Sequence, residues 1–176
     1  MTTDEQNRHF EAWLSRHGAV LHHVAHGFAE GDDRSDLMQE LLLALWRAVP
    51  AFRGGAQTST FVYRVAHNAA LTWRRTRKNY AQRLARFETM AAADAASTPP
   101  GPAGMDRGTE ALGHVYAAIR ELPPVDRSLI LLHLDGVSYA GIAEIHGLSE
   151  SNVGARLTRL KQKLTTALET ITHELR

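Results

Sequence analysis

The sequence predicts an all-α protein made of two small helical domains joined by a flexible linker. Apolar residues recur at three- and four-residue spacing in the long segments, which is typical of helices that bury one face. Capping residues, glycines and prolines separate these segments. A stretch rich in Ala, Pro, Gly and Ser lies between the two groups of helices. We therefore expect domains at 1–88 and 109–176, with a linker at 89–108.

The composition narrows the possible functions. The 176 residues include no cysteine, which excludes disulfides and thiolate metal sites. No apolar run is long enough to span a bilayer and the N-terminus lacks a signal-peptide pattern, so we expect a cytoplasmic protein without membrane insertion. Residues up to Ala44 carry eight acids against three arginines, whereas the segment from there to Glu88 holds nine Arg and Lys against one Glu. This segregation indicates two different partners, one of them anionic.

The first domain should contain three helices. The first runs from about Glu5 to Phe28 with an inward apolar stripe, and Gly31 lies in the break after it. Ser35 or Asp36 should start the second helix, which Pro50 ends.

The outward face of the second helix is a candidate protein-docking patch. It combines acidic and amide side chains with one leucine: Asp36, Gln39, Glu40 and Leu43. Such a surface is suited to binding another protein, although a solvated helix face is the commoner explanation.

The third helix should be capped by Ser59 or Thr60 and begin at Phe61. Its predicted outward strip is cationic and hydrogen-bonding, and consists of Arg64, His67, Asn68, Arg75 and Lys78. Arg74, Arg75, Arg77, Lys78, Arg83 and Arg86 follow with no acid before Glu88, a block suited to neutralising phosphates. Aromatic residues beside a small-residue loop and basic side chains suit single-stranded nucleic acid. The alternative is a solvated basic face on a core helix.

Two histidines have the spacing of metal ligands. His22 and His26 share one helix face, but no HExxH pattern is present and a third ligand would have to come from elsewhere. We interpret them as surface or interfacial histidines and expect no metal and no cofactor.

The second domain contains a predicted helix-turn-helix. A helix from about Thr109 to Leu122 precedes one that starts at Pro124 and ends at Asp135 and Gly136. Next come a helix capped by Ser138, a turn at Gly147 and a longer helix capped by Ser149. The outward residues of this last helix would reach DNA: Ser151, Asn152, Ala155, Arg156 and Arg159. A purely structural helical hairpin is the alternative.

Several motifs carry a family resemblance across nearly the whole chain. In the first domain these are Asp36-Leu37-Met38-Gln39-Glu40, Leu45-Trp46, Phe52-Arg53-Gly54 and Phe61-Val62-Tyr63-Arg64. In the second they are Leu122-Pro123, Arg127, Ser138-Tyr139, Ile142-Ala143-Glu144 and the segment from Val153 to Leu157. Together they resemble bacterial RNA polymerase sigma factors of the small, extracytoplasmic-function class.

This resemblance implies a transcription initiation factor and not an enzyme. Its partners would be core RNA polymerase, promoter DNA and an anti-sigma factor that holds it inactive, with a stress or envelope regulon. The patch of Asp36, Gln39, Glu40 and Leu43 would bind polymerase. The minus-ten element would be opened and held by Phe61, Arg64, Asn68, Arg74, Arg75 and Lys78. The minus-thirty-five element would be read by Ser151, Asn152, Arg156 and Arg159.

The sequence also departs from the family pattern. Gly154 stands where a basic residue is common after the valine, which removes a phosphate contact and costs about 1 kcal/mol of helix propensity. The main alternative function is an autonomous helix-turn-helix transcriptional regulator, which accounts for the second domain but not for the basic, aromatic helix of the first. An enzyme would have to rely on scattered histidines alone.

Overall fold

The computed structural model describes residues 1–54, 57–91 and 107–174, and within these ranges the chain is helical with no strand. The α-helices are α1 (Thr3–Phe28), α2 (Asp32–Ala48), α3 (Thr58–Ala91), α4 (Arg107–Arg120), α5 (Pro124–Leu134), α6 (Tyr139–His146) and α7 (Glu150–Glu174). A short 3-10 helix, Val49–Ala51, follows α2. The predicted all-α class is confirmed. No helix among the described residues is long and apolar enough to cross a membrane.

The first module consists of α1, α2 and α3, which all pack against one another. A capping box holds the start of α1, where the Thr2 hydroxyl and the Glu5 carboxylate exchange hydrogen bonds with each other's backbone N–H. Gly31, with a φ of 54°, makes the sharp break before α2. The core consists of apolar side chains that recur at helical spacing: Leu21, Val24, Phe28, Leu37, Leu41, Leu45, Val62, Ala66 and Ala70.

Two helix starts differ from the sequence prediction. α2 begins at Asp32, earlier than Ser35 or Asp36, so that the acidic side chains of Asp32 and Asp33 lie in its first turn, where the helix dipole favours them. α3 begins at Thr58, and the N–H of Phe61 already donates to the Gln57 carbonyl at 3.1 Å. The predicted caps at Ser59 and Thr60 are therefore wrong, since both residues lie inside the first turn.

The second module consists of α4 to α7. Pro124 occupies the first turn of α5, as predicted, and α5 ends before Gly136, which has a φ of 79°. Its core is built from Ile119, Leu129, Leu132, Ile142, Val153 and Leu157, all without solvent exposure. α3 continues to Ala91 and α4 begins at Arg107, so both ends of the predicted linker are helical. Residues 92–106 lie outside the described residues.

The two modules are packed against each other. α1 contacts α4 and α5, while α3 contacts α5 and α6. The buried apolar residues of both modules form one continuous cluster. Gly27 of α1 lies directly against Leu131 of α5, where a Cβ atom would come within 2.5 Å of Leu131 Cδ1.

Candidate polymerase and nucleic-acid interfaces

The predicted docking patch lies on the outer surface of α2. Asp36, Gln39 and Glu40 are exposed, and Leu43 exposes 39% of its surface. Leu37, Leu41 and Leu45 of the same helix are buried. One face of α2 thus belongs to the core, whereas the other presents carboxylates, an amide and an apolar side chain to solvent.

An aromatic cluster anchors the entry to α3. Trp13, which is buried, meets the rings of Phe52 and Phe61 edge-on at centroid distances of 5.4 and 5.7 Å. Phe52 and Phe61 lie 5.0 Å apart, and the Arg64 guanidinium lies 5.9 Å from the Phe61 ring centroid. Phe61 is half-buried, so its ring takes part in packing as well as in any contact with a base.

Asn68 lies on a groove between α2 and α3. The groove has a volume of about 570 Å³ and is lined by Glu40, Ala44, Val65, Asn68, Ala69, Thr72, Trp73 and Thr76. Its size falls in the range of small-ligand sites. Its lining combines apolar side chains with an amide, two hydroxyls and the Glu40 carboxylate, which suits a planar heterocycle with hydrogen-bonding edges.

The basic strip on α3 is only partly as predicted. Arg74, Arg75 and Lys78 are exposed, while Arg77 pairs with Asp33 and lies 5.2 Å from the Trp73 ring centroid. The side chains of Arg83 and Arg86 are outside the described residues.

His67 does not belong to the outward strip. Its side chain has no solvent exposure and contacts the second module, which corrects the sequence prediction. It lies on the edge of the helix where docking of α5 and α6 covers it.

The predicted helix-turn-helix is confirmed as α6, its turn and α7. The Ser138 hydroxyl accepts from the Gly141 N–H at 3.1 Å, and the Ser149 hydroxyl accepts from the Asn152 N–H at 3.3 Å. Gly147 is left-handed, with φ 65° and ψ 37°. Gly154 lies beside the Tyr139 ring, which a Cβ atom would approach to 3.5 Å. The α7 position that lacks the expected basic residue is therefore half-covered by α6.

Three of the four predicted recognition residues are exposed on the first half of α7. Ser151, Asn152 and Arg159 face solvent. Arg156 is half-buried and pairs with Asp126 of α5, so it is held against its own module. A groove of about 430 Å³ runs along this surface, lined by Asp126, Asn152, Arg156, Arg159, Leu160 and Lys163. Its three cations and one acid favour an anionic ligand.

Both ring nitrogens of His26 on α1 contact protein groups, whereas His22 is exposed. His26 Nδ1 lies 2.8 Å from the His22 carbonyl and its Nε2 lies 3.2 Å from Arg34 Nη1. In the part of the chain that the structure describes, no three His, Cys, Asp or Glu side chains converge as a metal site.

Two functional candidates at the module interface, Ser128 and His146, were missed by sequence reasoning. Ser128, with no exposure, and His146 carry no motif that marks them. Arg127 was part of the family resemblance, but its burial was not foreseen. Its Nε donates to the Leu122 carbonyl at 2.7 Å and its guanidinium lies 5.9 Å from the Phe28 ring centroid. Burial lowers the pKa of Arg127 to about 10.

Comparisons with known proteins match both modules. The family model for Sigma-70 region 2 matches residues 13–80, and that for Sigma-70, region 4 matches residues 113–164. The chain is 26% identical to the ECF RNA polymerase sigma-E factor of Haemophilus influenzae over 172 residues, covering 91% of this chain and 87% of that protein. It is 27% identical to the RNA polymerase sigma factor CnrH of Cupriavidus metallidurans over 169 residues, covering 92% and 87%.

Two solved structures share the fold. The sigma factor RpoE in complex with the anti-sigma factor NepR from Bartonella quintana superposes with a TM-score of 0.68 at 21% identity, covering 92% of this chain and 98% of that one. CnrH in complex with the cytosolic domain of CnrY gives a TM-score of 0.62 at 23% identity, covering 93% and 90%.

The two family matches decide between the functions that the sequence left open. An autonomous helix-turn-helix regulator would account for the match in α4 to α7 but not for the region 2 match in α1 to α3. Sigma factors act as non-enzymatic initiation factors, which disfavours a catalytic role. With region 2 and region 4 in order along one chain, and full-length relatives of the same class, the protein belongs to the sigma-70 family as an extracytoplasmic-function sigma factor that directs RNA polymerase to promoters.

Proposed function

We propose that the outward patch of α2 binds core RNA polymerase, that α3 and its groove hold unpaired bases of the minus-ten element, and that α7 reads the minus-thirty-five element. The observation that carries the proposal is the position of Asn68. It is exposed, lines the α2–α3 groove and lies on the same helix as the exposed cations Arg74, Arg75 and Lys78. A flipped base needs a pocket and a hydrogen-bonding edge, and the adjoining phosphates need positive charge.

Promoter opening tests the role of Asn68. The Asn68→Ala variant should bind core polymerase normally. It should reduce the permanganate reactivity of unpaired thymines in the minus-ten region by roughly tenfold, because one well-placed amide contact is worth about 1–3 kcal/mol. Asn79→Ala, which removes an exposed amide from the same helix away from the groove, is the matched control. If the Asn68→Ala variant opened the promoter as well as the wild type does, the role of Asn68 in holding a base would be contradicted.

Polymerase docking is tested by charge reversal. Asp36→Lys with Glu40→Lys should abolish co-elution with sigma-free core polymerase, because the change places two cations where a complementary surface expects acids. Glu11→Lys, on an exposed position of α1, controls for the loss of negative charge as such. If the doubly reversed chain still co-eluted with core polymerase, the proposal that α2 binds polymerase would be wrong.

An anti-sigma factor is the proposed regulatory partner, and the cytoplasm the proposed location. RpoE was solved with the anti-sigma factor NepR bound, and CnrH was solved with the cytosolic domain of CnrY bound. By analogy, such a partner would hold this chain away from polymerase until a stress signal releases it. Pull-down of a candidate anti-sigma factor with the wild-type chain, competed by core polymerase, would test this relationship.

A further inference from the structure

A hydrogen-bonded histidine pair joins the two modules. His67 Nδ1 of α3 lies 2.7 Å from Ser128 Oγ of α5, and the same oxygen lies 2.8 Å from His146 Nε2 of α6. His67 and Ser128 are fully buried. The first module contributes one ring and the second module contributes the hydroxyl and the other ring. We call this set the histidine latch.

The geometry selects one protonation state. His67 Nε2 is buried and has no hydrogen-bond partner among the described residues, so a proton there would be an unsatisfied donor. The proton of neutral His67 therefore belongs on Nδ1, which donates to Ser128. The Ser128 hydroxyl can then donate to His146 Nε2. Both rings are neutral in this arrangement.

Protonation disrupts the latch at either ring. A second proton on His67 places a buried N–H without an acceptor and a charge without a counter-ion. A proton on His146 Nε2 turns an acceptor into a donor, which leaves the Ser128 hydroxyl proton without its partner. Burial lowers the pKa of His67 from 6.5 to about 3, and burial followed by the charge of Arg156 lowers the pKa of His146.

The surrounding charges offer no compensation. On α3 itself, Tyr63 stacks on His67 at 6.5 Å. From α5, Arg127 adjoins Ser128 and adds positive charge, and Asp135 is paired with His23 of α1.

The acids of α2 have other contacts. From α2, Glu40 lies on the groove beside Asn68, and Asp33 is held by Arg77. From α7, Arg156 raises the positive potential at His146. On α6, Glu144 is exposed, and among the described residues no carboxylate is hydrogen-bonded or ion-paired to a latch side chain.

The packed modules are too close together to read a promoter. By their names the two elements are centred about 25 base pairs apart, which is roughly 85 Å at 3.4 Å per base pair. Modules in direct contact through α1, α3, α5 and α6 cannot reach both elements at once. They must separate before region 2 and region 4 can both bind, so contacts that hold them together oppose promoter binding.

We propose that the His67–Ser128–His146 latch holds the two modules in a closed, promoter-incompetent state and releases them when its histidines are protonated. This regulatory role rests on the proposed function. Acid would act on the free sigma factor directly. Below the ordinary histidine pKa, each latch histidine that gains a proton on opening should lower the ratio of closed to open molecules by up to tenfold per pH unit.

The opening can be measured on the full chain without polymerase. Because the sequence has no cysteine, Ala12→Cys and Thr165→Cys, both exposed, accept two spin labels for a pulsed electron-resonance distance. We expect one short distance at pH 7.5 and a growing population of longer distances by pH 5.5, with helicity by circular dichroism unchanged. An unchanged distance distribution would overturn the proposal.

Matched variants separate the latch from general acid effects. His67→Asn keeps a donor near the Nδ1 position but cannot be protonated, so only His146 is left to gain a proton. This variant should open clearly less than wild type at pH 5.5, whereas the exposed His22→Asn should respond like wild type. A wild-type pH response in His67→Asn would overturn the latch.

A second pair of variants tests the α1–α5 contact without changing a latch residue. Gly27→Leu would place a side chain against Leu131 and should lengthen the distance already at pH 7.5. Gly18→Leu, on the same helix with open space around it, should not. Equal distances in the two variants would show that the α1–α5 contact does not hold the modules. Loss of promoter-specific transcription at every pH, with the distance response intact, would instead reject the sigma function and leave the latch standing.

Discussion

The Arg156 guanidinium of the recognition helix is held by Asp126 of α5, with Nη2 and Nε 2.6 and 3.2 Å from the same carboxylate oxygen. Both side chains are largely covered, at 29% and 19% exposure. A cation expected to meet DNA is thus neutralised within its own module. The groove around it still contains Arg159 and Lys163.

Removing the acid should strengthen DNA binding. In Asp126→Asn, Arg156 keeps a hydrogen-bonding neighbour but loses its counter-ion, so it can neutralise a phosphate. We expect several-fold tighter binding to duplex DNA at low salt. The slope of log affinity against log salt concentration should also become steeper by about 0.9, the value for one added phosphate contact. Fluorescence anisotropy over a salt series measures both quantities.

Glu169→Gln removes one acid near the far end of the same helix and serves as the control. It should leave the slope unchanged. If Asp126→Asn behaves like this control, Arg156 serves only to join α5 and α7.

The aromatic cluster should determine the stability of the first module. Trp13→Ala removes the ring that contacts both Phe52 and Phe61, and should lower the free energy of unfolding by about 3–5 kcal/mol, as for other buried aromatic side chains. Trp73→Ala, at a half-buried position, should cost clearly less. Urea unfolding of both variants measures the difference, and equal losses would contradict a special role for the cluster.

Alanine substitution at two glycines of the second module should change the stability of the protein in opposite directions. Gly147 has a φ of 65° and open space where a Cβ would stand, so Gly147→Ala should destabilise by about 1–2 kcal/mol through backbone strain alone. Gly113→Ala, within α4 and equally uncrowded, should stabilise by up to about 1 kcal/mol through helix propensity. Thermal unfolding tests the pair, and a shift of the same sign in both would contradict this account.

Local features of the fold could be predicted because their causes are local. The caps at Ser138 and Ser149 and the turn at Gly147 depend on hydrogen bonds and dihedral angles within a few residues. Where several small polar residues occur together, more than one start is possible, and here α3 begins at Thr58. Packing decides between such starts, and packing is not visible in a short window.

The module interface could not be predicted from periodicity. The hydroxyl that contacts His67 belongs to a residue 61 positions away along the chain. A helical wheel places His67 beside Asn68 on the polar side of α3. Docking of the second module buries one edge of that polar face, and no pattern within α3 announces it.

The buried histidine makes stability depend on pH. Because the folded pKa of His67 is about 3 against an ordinary 6.5, the folded chain binds fewer protons there than the unfolded chain between these values. Its contribution is therefore full above about pH 6.5 and lost as the pH falls, by up to about 1.4 kcal/mol per pH unit. Urea unfolding from pH 7.5 to 5 should show a steeper loss for wild type and His22→Asn than for His67→Asn. Parallel curves for all three would mean that His67 gains its proton in a folded chain whose modules have separated, since the closed arrangement buries the ring against Ser128.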